Sequence, residues 1–155
     1  MGSTATFSVG TFDHNGLDAG SMDAAMTVDA LQYAPSKQAA FEEFTRILRP
    51  NGRLVFAAFE LDPGRTVGLP LIGEDPVEDY RPLLESQGFD VLTYEQTPCW
   101  RDRLTNAYRA VIAAQEKLQE EMGPLATAAL LSEMTLTLER DLYRGRVFVV
   151  AVRKD

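Results

Sequence analysis

Chemistry in this 155-residue chain has few places to come from, because His14 is its single histidine and Cys99 its single cysteine. His14 sits in a loop of Gly, Asn and Asp, where it is either a solvated loop residue or a general base, since an imidazole titrates near neutrality. One imidazole and one thiol cannot build a histidine or cysteine metal cluster, so no metal site is expected. Cys99, between Pro98 and Trp100, reads as a small buried packing residue with no visible partner that would make it a nucleophile. Asp29 follows an apolar run and either orients a bound molecule or caps the segment after a strand. Tyr33 either touches a ligand or packs. Trp100, Arg101 and Tyr108 open a long helical stretch, where an aromatic stripe at helical spacing reads first as ordinary packing. The glutamates at 42, 43, 116, 120 and 121 are read as solvated helix faces.

The whole composition narrows the classes further. Lys and Arg number 15 against 23 Asp and Glu, a formal net charge of -8, which argues against a nucleic-acid binder, since such affinity rests on cations neutralising phosphates. Apolar residues at 45% and charged residues at 25% are ordinary values for one globular domain. A lone cysteine and the lack of a charged-then-apolar leader pattern give a reducing, cytoplasmic setting as the expectation. The longest apolar runs, residues 54–59 and 147–152, fall far short of the ~20 residues that cross a bilayer, so no membrane association is expected.

The elements that must position these residues follow from periodicity. Ala5, Phe7 and Val9 alternate with Thr6 and Ser8 and predict a short half-buried strand ending at Gly10. Residues 24–28 are apolar on both faces, as a strand inside a parallel sheet must be. Pro35 and Ser36 open a helix whose Ala40, Phe41, Phe44, Ile47 and Leu48 recur at helical spacing, and Pro50, Asn51 and Gly52 stop it. Residues 54–59 form a second apolar strand. A loop with Pro63, Gly64, Gly68, Pro70 and Gly73 follows, of a length that is commonly functional.

Asp75, Pro76 and Glu78 read as a helix start, which Pro82 shifts toward Asp79 so that the proline falls in the first turn. Residues 89–95 and 146–153 predict two further strands. The stretch between them is helical and is divided at Gly123 and Pro124. The order is that of an α/β domain, with helices on both faces of a mostly parallel sheet and any ligand at the carboxyl ends of the strands.

Three blocks carry a resemblance. They are Gly10-Thr11-Phe12; Ser21-Met22-Asp23-Ala24-Ala25-Met26-Thr27-Val28-Asp29-Ala30-Leu31-Gln32-Tyr33; and Phe44-Thr45-Arg46-Ile47-Leu48-Arg49-Pro50-Asn51-Gly52-Arg53-Leu54-Val55. Together with Gly88-Phe89 before an apolar strand, they resemble the class I S-adenosylmethionine-dependent methyltransferases, the branch called methyltransferase type 11. The resemblance implies a Rossmann-like sheet in which the family's fourth, fifth, seventh and sixth strands lie side by side, the last strand in the sequence running antiparallel. It implies one partial domain over residues 1–155, with a helical insertion or lid at about 97–142.

It also implies S-adenosylmethionine as cofactor, a small-molecule methyl acceptor, and cofactor contacts at Thr11, Phe12, Val28, Asp29, Ala30 and Tyr33. The acceptor would meet His14, Trp100, Arg101 and Tyr108. Methyl transfer needs little acid-base apparatus, because the sulfonium is already an activated donor and the enzyme chiefly aligns the reactants.

Two departures from the family pattern qualify this. Thr11 stands where the family commonly has an Asp that bonds the adenine amino group, although a hydroxyl can also accept a hydrogen bond. No G-x-G-x-x-G follows a first strand, so the chain is expected to be truncated at the N-terminus and to bind the cofactor poorly. The alternative is a non-catalytic module. Without the strands that separate the family's third from its fourth, residues 24–28 become a bare apolar edge, a template for pairing. Residues 5–9 are expected either to cover that edge within the chain or to exchange with a second copy, giving a homodimer or strand-exchanged oligomer.

Overall fold

The computed structural model describes residues 5–68 and 74–155. Strand β1 (Met22–Val28) leads through a 3₁₀ turn (Leu31–Tyr33) to helix α1 (Lys37–Ile47) and strand β2 (Leu48–Leu61). Short helices α2 (Pro63–Thr66) and α3 (Arg81–Ser86) precede β3 (Phe89–Gln96). Helices α4 (Trp100–Ala113), α5 (Gln115–Met122) and α6 (Pro124–Arg140) then return the chain to β4 (Tyr143–Arg153). The sheet order is β1-β2-β4-β3, with β1 parallel to β2 and β4 antiparallel to both its neighbours. This is the strand order the resemblance implied.

The period of two along each strand sorts the side chains between two faces. The row Thr27, Phe56, Val149, Tyr94 lies in register across all four strands, as does Ala25, Leu54, Ala151, Val91. These rows meet Leu31, Phe41, Phe44 and Ile47 of the α1 side and Tyr80 and Leu84 beside α3, forming the main core. Phe41 meets Phe56 edge-on at 5.7 Å, and Phe56 meets Tyr80 at 5.4 Å. The Tyr80 hydroxyl donates to the Phe59 carbonyl at 3.1 Å, so this buried polar tip is satisfied.

Among the described residues, the opposite face is covered only near the carboxyl end of β2. There Phe59, Leu61, Leu142 and Tyr143 pack with Trp100 and Leu104 of α4. The rest of that face leaves Met26 75%, Val28 56% and Phe148 43% exposed.

Local signals explain the ends of α1. The Ser36 side chain accepts from the Ala39 N–H at 3.1 Å, a regular N-cap. Asp75, read above as a cap of its own helix, instead accepts from the Lys37 N–H at the head of α1. The later helix begins at Arg81 with Pro82 in its first turn, as the proline required. Gly123 and Pro124 separate α5 from α6, and a further break at Ala114 divides the first helical stretch.

Further expectations are corrected. Glu43, read as part of a solvated helix face, is buried and paired with Arg46. Residues 5–9 form no strand and pair with no edge; Phe7 and Val9 stand 93% and 102% exposed. The segment after them is tied to α1 instead. Phe12 packs edge-on to Phe44, the Asn15 N–H donates to Glu43, Arg46 donates to the Leu17 carbonyl, and the Gly20 N–H donates to the Arg46 carbonyl.

Cys99 is exposed, not buried, because it takes the left-handed conformation (φ 54°) at the head of α4. The turn at Asn51, with φ 63°, lies inside β2, not before it, since Leu48 already pairs with Met22 across a bulge. Pro70 and Gly73 of the loop after β2 lie outside the described residues.

Candidate functional site

The carboxyl end of β1 supplies the first part of the site. Past Val28 the chain turns through Asp29 in a left-handed conformation (φ 48°), fixed by its N–H donating to the Ala57 carbonyl at 2.8 Å. This turn points the Asp29 carboxylate at Arg146, whose Nε and Nη2 both donate to it at 2.9 Å. Arg146 reaches this position because β4 pairs it with Phe59, and its guanidinium lies 5.8 Å from the Phe59 ring. Its remaining nitrogen donates to the Thr97 hydroxyl at 3.0 Å. One arginine therefore ties the ends of β1, β3 and β4. A cavity of about 290 Å³ opens beside it, walled by Phe59, Trp100, Arg103 and Leu104.

Trp100 and Leu104 also wall a second cavity of about 350 Å³, which reaches Arg109, Thr137, Asp141 and Tyr143. Arg101 pairs with Asp141, donates to the Tyr143 carbonyl at 3.0 Å, and lies 4.6 Å over the Trp100 ring. Phe59 stacks on Tyr143 at 4.1 Å. The Tyr143 hydroxyl is buried and makes no hydrogen bond of full geometry, and the Tyr108 hydroxyl lies close enough to interact with it. Burial pushes the Tyr143 phenol above its ordinary pKa, and the neighbouring phenols Tyr108 and Tyr33 add to the effect, so it is a neutral group at physiological pH.

Tyr33 donates to Glu133 at 2.6 Å and so fastens the turn after β1 to α6. Burial first, and then the Glu133 carboxylate, raise its pKa.

Of the residues singled out by sequence, the structure brings Asp29, Trp100 and Arg101 around the two cavities, with Tyr33 and Tyr108 at their margin. Ala30 leads into the turn, and Val28 stands on the open sheet face. Thr11, Phe12 and His14 lie elsewhere, beside the second half of α1, where that helix runs toward the amino end of β2. Phe12 packs on Phe44 there, and the Thr11 N–H and hydroxyl both donate to the His14 carbonyl, at 2.9 and 3.2 Å.

The six residues assigned to the cofactor therefore do not form one surface. The Asp29 carboxylate is held by Arg146 and the Tyr33 hydroxyl by Glu133. Among the described residues no group of three or more His, Cys, Asp or Glu could hold a metal ion.

Sequence reasoning missed Arg146, Thr97, Phe59, Arg103, Arg109 and Tyr143. Arg146 stood at the head of an otherwise apolar strand, a charge out of pattern, but its partner Asp29 is 117 residues away and becomes visible only with the sheet order. A separate polar group lies on the other face. There buried Glu60 accepts from Tyr94 at 2.6 Å and Gln96 at 2.8 Å, and Arg144 pairs with Glu78. Its carboxylate is satisfied, which makes it a brace between β2 and β3.

Residues 2–56 match the family model of the methyltransferase domain. No curated protein sequence matches the chain. Among solved structures, a protein assigned as a sarcosine dimethylglycine methyltransferase from Galdieria sulphuraria is similar at TM-score 0.72 and 22% identity, over 94% of this chain and 58% of that one. The [4+2]-cyclase SpnF is similar at TM-score 0.73 and 18% identity, over 96% of this chain and 55% of its own. Phosphoethanolamine N-methyltransferase 2 of Haemonchus contortus, solved with S-adenosyl-L-methionine, gives TM-score 0.66 and 17% identity, over 93% of this chain and 36% of its own. At these identities the likeness is one of fold. The chain spans little more than half the length of the first two, and about a third of the last.

Proposed function

We propose that this chain, built on the fold of the class I S-adenosylmethionine-dependent methyltransferases, supplies the half of such an enzyme that holds a small-molecule methyl acceptor. By itself it binds the cofactor poorly. The observation that carries this reading is the division of the site: the carboxyl ends of the strands and α4–α6 enclose two cavities, while Thr11 and Phe12 sit against α1, away from Asp29. S-adenosylmethionine is the cofactor the resemblance points to. The residues of this chain that would meet it are Val28, Asp29, Ala30 and Tyr33, at the end of β1, and a fuller contact through Thr11 and Phe12 requires their segment to leave α1.

Trp100, Arg101 and Tyr108 are on the acceptor side. What they do chemically is position: among the described residues the carboxylates that line the cavities, Asp29 and Asp141, are both paired with arginine, and alignment is what methyl transfer chiefly asks of a protein. The reading includes a cytoplasmic location, supported by the lone thiol of Cys99. No helix of the described residues is long and apolar enough to cross a membrane.

A thermal-shift titration with S-adenosylhomocysteine tests the proposal. A ligand at a hundred times its Kd stabilises the folded state by about 2.7 kcal/mol, roughly 5–10 °C in Tm for a domain of this size. The 155-residue chain is expected to show no shift. A saturable rise at micromolar ligand would refute the divided site.

One observation favours a second reading, a self-associating module without catalysis. β1 has a neighbour on one side only, and Met26 and Val28 are exposed beside that free edge. The same chain carries an unpaired, alternating segment whose Phe7 and Val9 are fully exposed. The occupant that fits is that segment of a second copy, laid along β1. Sedimentation velocity decides it, as set out below.

A further inference from the structure

We propose that the two cavities flanking Trp100 take an anionic acceptor, a small molecule bearing a carboxylate or phosphate group on an apolar or aromatic body. This deepens the acceptor-half reading and rests on it. The chain carries a net charge of -8, yet the charged side chains that line these cavities are four arginines, Arg101, Arg103, Arg109 and Arg146, against two aspartates, Asp29 and Asp141.

Both aspartates are already neutralised, Asp29 by Arg146 and Asp141 by Arg101 and Arg65. Among the described residues this leaves Arg103, on the first cavity, and Arg109, on the second, with no carboxylate and no side-chain hydrogen bond. A guanidinium offers a rigid fork of donors that matches a carboxylate or phosphate in two-point contact.

The second cavity holds an independent sign of the same ligand. Tyr143 lines it, is 2% exposed, and its buried hydroxyl makes no hydrogen bond of full geometry, with only the Tyr108 hydroxyl beside it. Such a group costs stability unless something bonds it, and an anion's oxygen is an acceptor a phenol can serve. The shared wall of Trp100 and Leu104 is apolar and suits the body of the molecule. A cationic acceptor would face the two free guanidiniums, and a neutral one would leave them unused. The acidic remainder of the protein does not undo this, because exposed charges beyond a Debye length of about 8 Å are screened at physiological salt.

Trp100 is the only tryptophan in the chain and stands in the wall of both cavities, so its emission reports occupancy directly. The experiment titrates the chain with phenyl phosphate and benzoate, with the neutral benzamide and cationic benzylamine as matched bodies, and with inorganic phosphate. The expected result is a saturable change in Trp100 emission with an anionic ring, at least tenfold tighter than with either matched body. Whichever of phenyl phosphate and benzoate binds more tightly identifies the headgroup.

Arg109→Gln and Arg103→Gln, both exposed and outside every ion pair described, are expected to weaken binding about tenfold, the scale of a charged hydrogen bond. Arg53→Gln, outside the linings of both cavities, is expected to leave it unchanged. Equal affinity for benzamide, inorganic phosphate binding as tightly as phenyl phosphate, indifference to both cavity variants, or no saturable change up to about 1 mM anion would overturn the proposal. The readout is binding without cofactor, so its failure leaves the acceptor-half reading standing. Micromolar S-adenosylhomocysteine binding would instead defeat that reading.

Discussion

Removing the Arg146 guanidinium is the sharpest structural perturbation available, because one side chain joins three strand ends. Arg146→Met keeps most of the aliphatic stem against Phe59 while deleting two charge-assisted bonds to Asp29 and one to Thr97. Exposed ion pairs are worth about 0.2–1 kcal/mol, and hydrogen bonds to charged groups about 1.5–3 kcal/mol. The Arg146 side chain is 21% exposed and that of Asp29 38%, so the pair falls between these limits. Asp29 can partly rehydrate once its partner is gone.

The expected loss is about 2 kcal/mol, which for a domain of this size lowers Tm by about 4–8 °C. Asp29→Asn is the matching partner in a double-mutant cycle, since Asn tolerates the left-handed backbone that Asp29 adopts and removes only the charge. Urea denaturation of the four proteins should give a coupling energy of about 1–2 kcal/mol with an unchanged m value. A coupling below about 0.3 kcal/mol would mean the bidentate geometry contributes no more than an exposed pair, and the reasoning about the site would fail.

Further outcomes follow from the same geometry. Arg46 and the Asn15 N–H hold the buried Glu43 carboxyl down at about 2, so its stabilising effect is present above the unfolded carboxyl pKa and is lost as pH falls from about 4.5 toward 2. In denaturation from pH 6 to pH 2, Glu43→Gln should be less stable by about 2 kcal/mol at the upper end, with the gap closing at the lower; a constant gap would refute the assignment. A methyl group at Gly145 would stand 2.5 Å from a Glu60 carboxylate oxygen and 2.6 Å from the Gln96 amide oxygen. Gly145→Ala should therefore cost about 1–3 kcal/mol in urea denaturation, and no loss would show that this brace yields freely. Sedimentation velocity is expected to show a concentration-dependent dimer that Phe7→Glu and Met26→Lys each dissociate; a strict monomer, or a dimer blind to both changes, would dismiss strand exchange.

Much of the fold could be read from the residues because its strongest signals are local. Residues 24–28 and 54–59 are apolar on both faces and became neighbouring parallel strands, Ser36 capped α1, and Gly123 with Pro124 separated two helices. Residues 5–9 had the right alternation but pair with no strand of their own chain, since alternation alone does not bring a strand to a ladder. Asp75 looked like a local cap and capped a helix 38 residues earlier, since only tertiary structure sets which N–H a carboxylate meets.

The site divided in the same way. Asp29, Trp100 and Arg101 were legible from their position at strand and helix ends. Arg146, Tyr143 and Arg109 were not, because their roles depend on register and on how α4 and α6 lie over β2. Thr11, Phe12 and His14 were not legible either, because their place is set by contacts of their loop with α1, as in Phe12 on Phe44 and the Asn15 N–H on Glu43.

The central proposal is that the acceptor side of the site is formed in this chain while the cofactor side is not. Isothermal titration calorimetry of the 155-residue chain with S-adenosylhomocysteine tests it most directly. The division of the site predicts no saturable heat up to about 1 mM ligand, and a one-site isotherm with a Kd in the micromolar range would contradict it.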